Sequence, residues 1–262
     1  MNNRISKIEN DVQDKNSIAW KKLCAYVDKI AAENSDEFSP LEELGPELFS
    51  QIHTLPETIS NLKKVTKVWL YGSKLKRIPP EIGEMESLEY FDPYTSYGLH
   101  WFPYEITNCK KLKNSRVSTR ALYGNYKNRM GFPRLTHNPV KYTGDIVKCS
   151  ICKKEMAYSE TNQLWISLQV GTDILPLLVN LCSKECESKL PIPDEDYLQF
   201  AHKGGAELKQ PLDANEMLEL RMTEMEQDNT EETETNIQPP VKDNTENKDF
   251  KLLKLIKKIW IR

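Results

Sequence analysis

From Ser17 to Glu33, apolar side chains return every three or four residues, at Trp20, Leu23, Cys24, Val27, Ile30 and Ala31, with Ser17 placed as an N-cap. This period predicts an amphipathic helix. Ile5, Ile8 and Val12 extend the pattern upstream, although Asp11, Asp14, Lys15 and Asn16 interrupt it. Further on, a longer period takes over. Leu55-Pro56-Glu57-Thr58-Ile59 returns 23 residues later as Ile78-Pro79-Pro80-Glu81-Ile82, and 24 residues after that as Phe102-Pro103-Tyr104-Glu105-Ile106. Between these motifs Leu62, Val65, Val68, Leu70 and Leu75 lead into Ile78, and Met85, Leu88, Phe91 and Leu99 lead into Phe102. Such a period predicts stacked units, each with a short strand, a turn stiffened by proline and an apolar return segment, because one unit cannot bury its apolar face alone. Cys24 falls on the helical stripe and Cys109 on the position of Leu62 and Met85, so both read as core residues.

In this register the chain resembles the leucine-rich repeat family, in its roughly 23-residue form with a Leu-Pro dipeptide closing each unit. The resemblance covers about residues 41 to 125. It departs from the family where an asparagine would stitch neighbouring turns: Ser73, Ser96 and Arg120 stand there instead. The second unit carries an extra residue, and Pro93 sits at an inward strand position where it removes a ladder donor. The resemblance implies a concave face that binds a protein partner, lined here by Lys67, Trp69 and Tyr71, then Tyr90, Asp92 and Tyr94, then Asn114, Arg116 and Ser118. Four of these nine are aromatic, with an arginine beside them, which is the composition of an interface hot spot. The alternative is that the rings pack on one another or under the first helix.

The densest local chemistry lies further along. Cys149 and Cys152 form a CxxC knuckle in Lys148–Lys154, and Cys182 and Cys186 form a CxxxC pair with 29 residues between the two pairs. Four thiolates so spaced predict a closed tetrahedral zinc site, with iron as the alternative metal. Residues 163–170 and 174–181 read as two strands around Gly171-Thr172-Asp173, and 183–190 as a short helix. Knuckle, hairpin and helix together resemble the treble-clef fold, and Leu181-Cys182-Ser183 with Cys186 is similar to the second half of MYM-, YHS- and TRASH-type zinc modules. A thioredoxin-like site would leave the second pair unexplained, and a catalytic zinc would keep an open position. His202 is a substitute ligand by sequence distance, with a solvated loop as the other reading.

Composition changes the picture at the C-terminal end. Residues 206 to 248 carry twelve acidic and four basic side chains and few apolar ones, which reads as a flexible acidic linker. The last fourteen residues reverse sign, with five basic groups against one acid, and Leu252, Leu253, Leu255, Ile256, Ile259 and Trp260 share one arc of a helical wheel. That segment suits an anionic membrane surface, a hydrophobic groove or the protein's own surface. A net charge of -3 gives no general reason to expect nucleic-acid binding, and no stretch has the apolar length of a spanning helix or a secretory signal. Six cysteines in a chain expected to be cytoplasmic point to metal ligation or burial before disulfides.

The expected fold class is therefore α/β: an N-terminal helical cap (1–40), a short leucine-rich repeat solenoid (41–139), a small treble-clef-like zinc module (140–205), a disordered acidic linker (206–248) and a basic amphipathic helix (249–262). The expected function is a non-catalytic adaptor with structural zinc, a protein partner on the repeat face and a peripheral membrane contact through the last helix. The alternative is a ubiquitin-ligase-like or metal-sensing component, against which a RING would need eight ligands for two metals. No glycine-rich phosphate loop is present.

Overall fold

The computed structural model describes residues 13–136, 140–142 and 144–234. Within it the chain is mixed α/β, with a parallel sheet and few helices. Helix α1, Ile18–Glu33, starts as predicted: the Ser17 hydroxyl accepts from the Trp20 N–H at 3.2 Å. It ends at Asn34, whose left-handed backbone (φ 52°) turns the chain away. Its buried stripe is Ala19, Trp20, Leu23, Tyr26, Val27 and Ile30, with Cys24 half-buried beside it. A strand of two residues, β1 (Glu37–Phe38), follows, and then helix α2 (Pro40–Phe49), which kinks at Gly45 (φ 74°) ahead of Pro46.

Next come β2 (Lys67–Trp69), β3 (Tyr90–Asp92), β4 (Phe102–Pro103) and β5 (Asn114–Ser115). Strands β1, β2, β3 and β5 form one parallel sheet in that order, with Phe38 opposite Val68, Val68 opposite Phe91 and Phe91 opposite Ser115. The first three of these point inward and are at most 1% exposed. Within each proline motif, directly after its first proline, the chain enters a 3-10 segment, at Glu57–Asn61, Pro80–Glu84 and Tyr104–Asn108. The proline at the cap has an extended backbone and needs no N–H there, so each unit turns at the same place. Ile59, Ile82 and Ile106 from these segments, and Leu62, Met85 and Cys109 behind them, fill the space between strand and return segment. Ser73 and Ser96 join neighbouring turns: Ser73 Oγ and Ser96 Oγ lie 2.6 Å apart, and Ser96 also donates to the Leu70 carbonyl. Strand β3 stops at Asp92, one residue before Pro93.

The following strands are β6 (Ile146–Lys148) and β7 (Glu155–Ala157), an antiparallel pair, and β8 (Asn162–Val170) and β9 (Asp173–Leu181), a hairpin in continuous register. Gly171 at its tip has φ 61°, and a side chain there would meet Ser115. Strand β9 also pairs, in parallel, with β4, setting Phe102 opposite Leu177 and Pro103 opposite Leu178. The boundary expected at 139/140 therefore does not divide two cores: one apolar cluster runs from Ala19 to Cys186. At the hairpin tip the Ser115 hydroxyl reaches Asp173 at 2.7 Å, and the Thr172 hydroxyl donates to the Ser115 carbonyl. A second cluster gathers Trp101, Tyr123, Phe132 and Leu178 around Trp165, whose indole N–H donates to the Pro133 carbonyl at 2.8 Å.

His202 belongs to this second cluster and is neither a ligand nor solvated. It exchanges two backbone hydrogen bonds with Trp165, meets Phe132 edge-on and is 6% exposed, and burial pushes its imidazole down to about 4. Past helix α3 (Lys184–Glu187) the chain returns along the same body. The expected linker does not begin at 206: the Arg129 guanidinium donates to the Leu212 carbonyl, Gln210 donates to the Arg129 carbonyl, and Leu208 packs on the aromatic cluster. From there helix α4 (Ala214–Glu234) replaces what composition predicted as flexible chain. Asp213 and Glu216 cap its start reciprocally, and Glu, Leu, Met and Arg are good helix formers even where a core is lacking. The chain divides into two units after Met217, and in the second Leu218, Leu220, Met222 and Met225 are exposed. Among the described residues no helix is long and apolar enough to cross a membrane. The segment 249–262, with its apolar arc from Leu252 to Trp260, lies outside the described residues.

Candidate metal centre and aromatic face

The knuckle connecting β6 to β7 carries Cys149 and Cys152, and the end of β9 leads into Cys182 and, on α3, Cys186. The knuckle is tight because the Cys149 N–H donates to the Lys154 carbonyl and the Lys153 N–H donates to the Cys149 carbonyl, with Lys153 at φ 64°. Two bonds dock it on β9: the Ser150 N–H donates to the Asn180 carbonyl at 2.7 Å, and the Asn180 N–H donates to Ser150 Oγ at 3.0 Å. On the other side, Ser183 caps α3 by accepting from the Cys186 N–H at 3.2 Å, which fixes the helical turn that presents Cys186.

These constraints bring the four sulfurs within 4.8 Å of one another. Cys152 Sγ and Cys182 Sγ are 3.5 Å apart, and Cys182 Sγ and Cys186 Sγ 3.7 Å. A zinc–sulfur bond of about 2.3 Å makes a tetrahedron with edges of about 3.8 Å, whereas a disulfide would need sulfurs at about 2.05 Å. All six cysteines are free thiols. The donor set fits a thiophilic ion such as zinc. Cys149 and Cys186 are buried, Cys182 half-buried and Cys152 exposed, so the cluster sits at the rim of the body. Burial works to raise the Cys149 thiol, but the backbone N–H groups of Cys152, Ile151 and Cys182 outweigh it and bring it down to about 7. The Cys182 thiol is instead pushed up to about 12, first by its contact with Cys152 and then by burial. Sulfurs this crowded resist carrying four negative charges together, and a bound divalent cation would offset that repulsion.

Of the nine positions expected on the partner-binding face, five lie on strands, with Lys67 beside Tyr90 beside Asn114 and Trp69 beside Asp92, while Tyr71, Tyr94, Arg116 and Ser118 lie just past the strand ends. Eight of them are exposed or half-buried. Asp92 is the correction: at 2% exposure it lies under its neighbours, accepting from the Tyr94 N–H and the Tyr90 hydroxyl, with Arg116 at 3.5 Å. A carboxylate between two tyrosines and an arginine holds the row in place from below and is not offered to a partner. Above it, the Trp69 and Tyr90 rings lie 4.8 Å apart, those of Tyr71 and Tyr94 6.2 Å apart, and the Arg116 guanidinium covers Tyr94 at 4.6 Å. The rings do pack on one another, yet Tyr71 stays 49% and Tyr94 38% exposed. Ser118 holds the row's edge by accepting from the Thr95 N–H at 2.8 Å.

One residue of this face escapes the repeat register. Glu37, on the unforeseen strand β1, accepts from Lys67 at 2.6 Å and from the Trp69 indole at 3.1 Å, and these bonds, Lys67 first, hold its carboxyl below the usual range. Its signal would have been a Glu-Phe dipeptide after a helix, too short to register as a strand. No protein-family model matches the chain, and no curated protein sequence matches it significantly.

Proposed function

We propose that the chain is a non-catalytic protein-interaction adaptor. Its parallel strands and 3-10 return segments are then a short leucine-rich repeat solenoid, closed at one end by α1 and at the other by a treble-clef-like module around a structural zinc. The observation that carries this reading is the cluster of Trp69, Tyr71, Tyr90 and Tyr94 on and just past strands β2 and β3, ring against ring, with Arg116 over Tyr94 and with Glu37 and Asp92 bonded to its members. Large rings already ordered by neighbours lose little entropy on binding, and that is how aromatic hot spots reach high affinity. The closed set of four thiolates favours structural zinc over catalytic zinc, because no coordination position is left for water or substrate.

The reading places the protein in the cytoplasm and the segment 249–262 at an anionic membrane surface, where its five basic groups and Trp260 would act together. The test of the adaptor is affinity capture with the full chain and with its Trp69→Ala and Tyr94→Ala variants, each checked for thermal stability. A partner retained by the wild type and lost by both folded variants supports the reading. Capture that both variants leave unchanged contradicts it.

A further inference from the structure

Four buried side-chain polar atoms among the described residues have no hydrogen-bond partner, and three of them line one cavity of about 510 Å³: Glu81 Oε2, Glu105 Oε2 and the Tyr142 hydroxyl. The cavity opens between the second and third 3-10 segments and the wall formed by Tyr142, Tyr158 and the cysteine knuckle. Neither the thiolate cluster nor the aromatic face uses it. Glu81 and Glu105 hold the same place in successive proline motifs, so stacking of the units sets one carboxylate beside the other. The segments approach so closely that a side chain on Gly83 would run into the Glu105 carbonyl oxygen. Burial first, and then the neighbouring acids Glu57, Glu105 and Glu84, raise the Glu81 carboxyl. Glu105 is 8% exposed, and burial raises its carboxyl against the opposing effect of a hydrogen bond with Ser150.

Packing alone would be served as well by an apolar side chain at either position, as Ile59, Ile82 and Ile106 serve it one residue or so further on. The three oxygens ask for a ligand rich in donors and positively charged. A bare magnesium or calcium ion needs about six or more oxygens within roughly 2.0–2.6 Å, whereas a volume of this size falls in the range of small organic ligands, about 300–1,000 Å³. Trp20, Pro79 and Pro80 add apolar wall. Lys153, which also lines the cavity, already donates to the Ser150 carbonyl at 2.9 Å, and Lys15 lies over the Trp20 ring. We propose that this cavity binds a small free amine through its ammonium group, held by Glu81, Glu105 and the Tyr142 hydroxyl. An ammonium offers three donors to these three oxygens.

The test is calorimetric or NMR titration of the full chain with n-butylammonium, with n-butanol as the neutral control of the same shape. Saturable binding of the amine in the millimolar range or tighter, at least tenfold weaker for the alcohol, is expected. Glu81→Gln and Tyr142→Phe should each weaken it about tenfold, while Glu219→Gln on helix α4 should not. Both cavity variants keep the side-chain volume, and if one fails to fold the other still decides. Absence of saturable amine binding, equal binding of butanol, or binding indifferent to the folded cavity variants would overturn the proposal. Calcium binding lost in Glu81→Gln without any amine binding would overturn it as well, since the site would then be a metal site.

Discussion

Trp69 and Tyr94 are held differently, and their replacement should separate stability from binding. Trp69 gives its indole N–H to Glu37 and its ring to Tyr90, so Trp69→Ala should cost about 1 kcal/mol of stability together with about 2 kcal/mol of affinity for a partner. Tyr94 is more exposed and meets mainly Tyr71 and Arg116, so Tyr94→Ala should lose affinity while denaturant midpoints stay nearly unchanged. Equal loss of stability in both variants would mark the whole row as core. His202 carries a pH prediction. Its imidazole is held at about 4 in the fold against 6.5 when free, so the stability its neutral form contributes is present above pH 6.5 and lost as pH falls toward 4. At 1.36 kcal/mol per pKa unit the loss approaches about 3 kcal/mol. Urea unfolding across that range should show wild type losing more than His202→Gln, and parallel curves would contradict the assignment. The four cysteines were legible because ligand spacing is written locally in the chain. The burial of His202 and Asp92 was not, because it depends on segments far away: Phe132 and Trp165 for one, Arg116 for the other.

At the level of elements, legibility followed length. The nine residues each of β8 and β9 and the sixteen of α1 carry enough periods to be read directly, and their predicted ends fall within a residue or so of the observed ones. Strands β1 and β4, two residues each, carry no period, yet β1 supplies Glu37 to the aromatic face and β4 joins the repeat units to the hairpin. Helix α4 was missed for the opposite reason: its charge suggested flexible chain, while its Asp213 cap and its residue types favour a helix. Two glycines test the contacts between elements. Gly171→Ala at the hairpin tip forces a left-handed backbone on alanine and presses it toward Ser115, and should cost about 1–2 kcal/mol. Gly83→Ala must push the second 3-10 segment away from the backbone of the third, a loss of about 1–3 kcal/mol measurable as a lowered denaturant midpoint. Neutral behaviour of Gly83→Ala would mean that the units do not stack as closely as described.

Across the whole molecule, the consequence of the β4–β9 pairing is that the repeat units and the cysteine module share one core and should unfold together. The sequence pattern showed both halves but not their union, because a two-residue parallel pairing between Phe102 and Leu177 leaves no trace in either local period. Metal at Cys149, Cys152, Cys182 and Cys186 would therefore stabilise the repeat sheet as well as the module that holds the ligands, through the Ser150–Asn180 bonds and strand β9. Free energies of about 10–16 kcal/mol for structural zinc in small modules make that coupling large compared with a typical domain stability of about 5–15 kcal/mol. The direct measurement is metal content by elemental analysis combined with calorimetric unfolding, on protein prepared under reducing conditions, before and after chelation. One zinc per chain is expected, lost in the Cys149→Ser and Cys182→Ser double variant, with a single transition of the body that chelation lowers as a whole. Protein without bound metal, or a repeat sheet whose transition is indifferent to chelation, would contradict it.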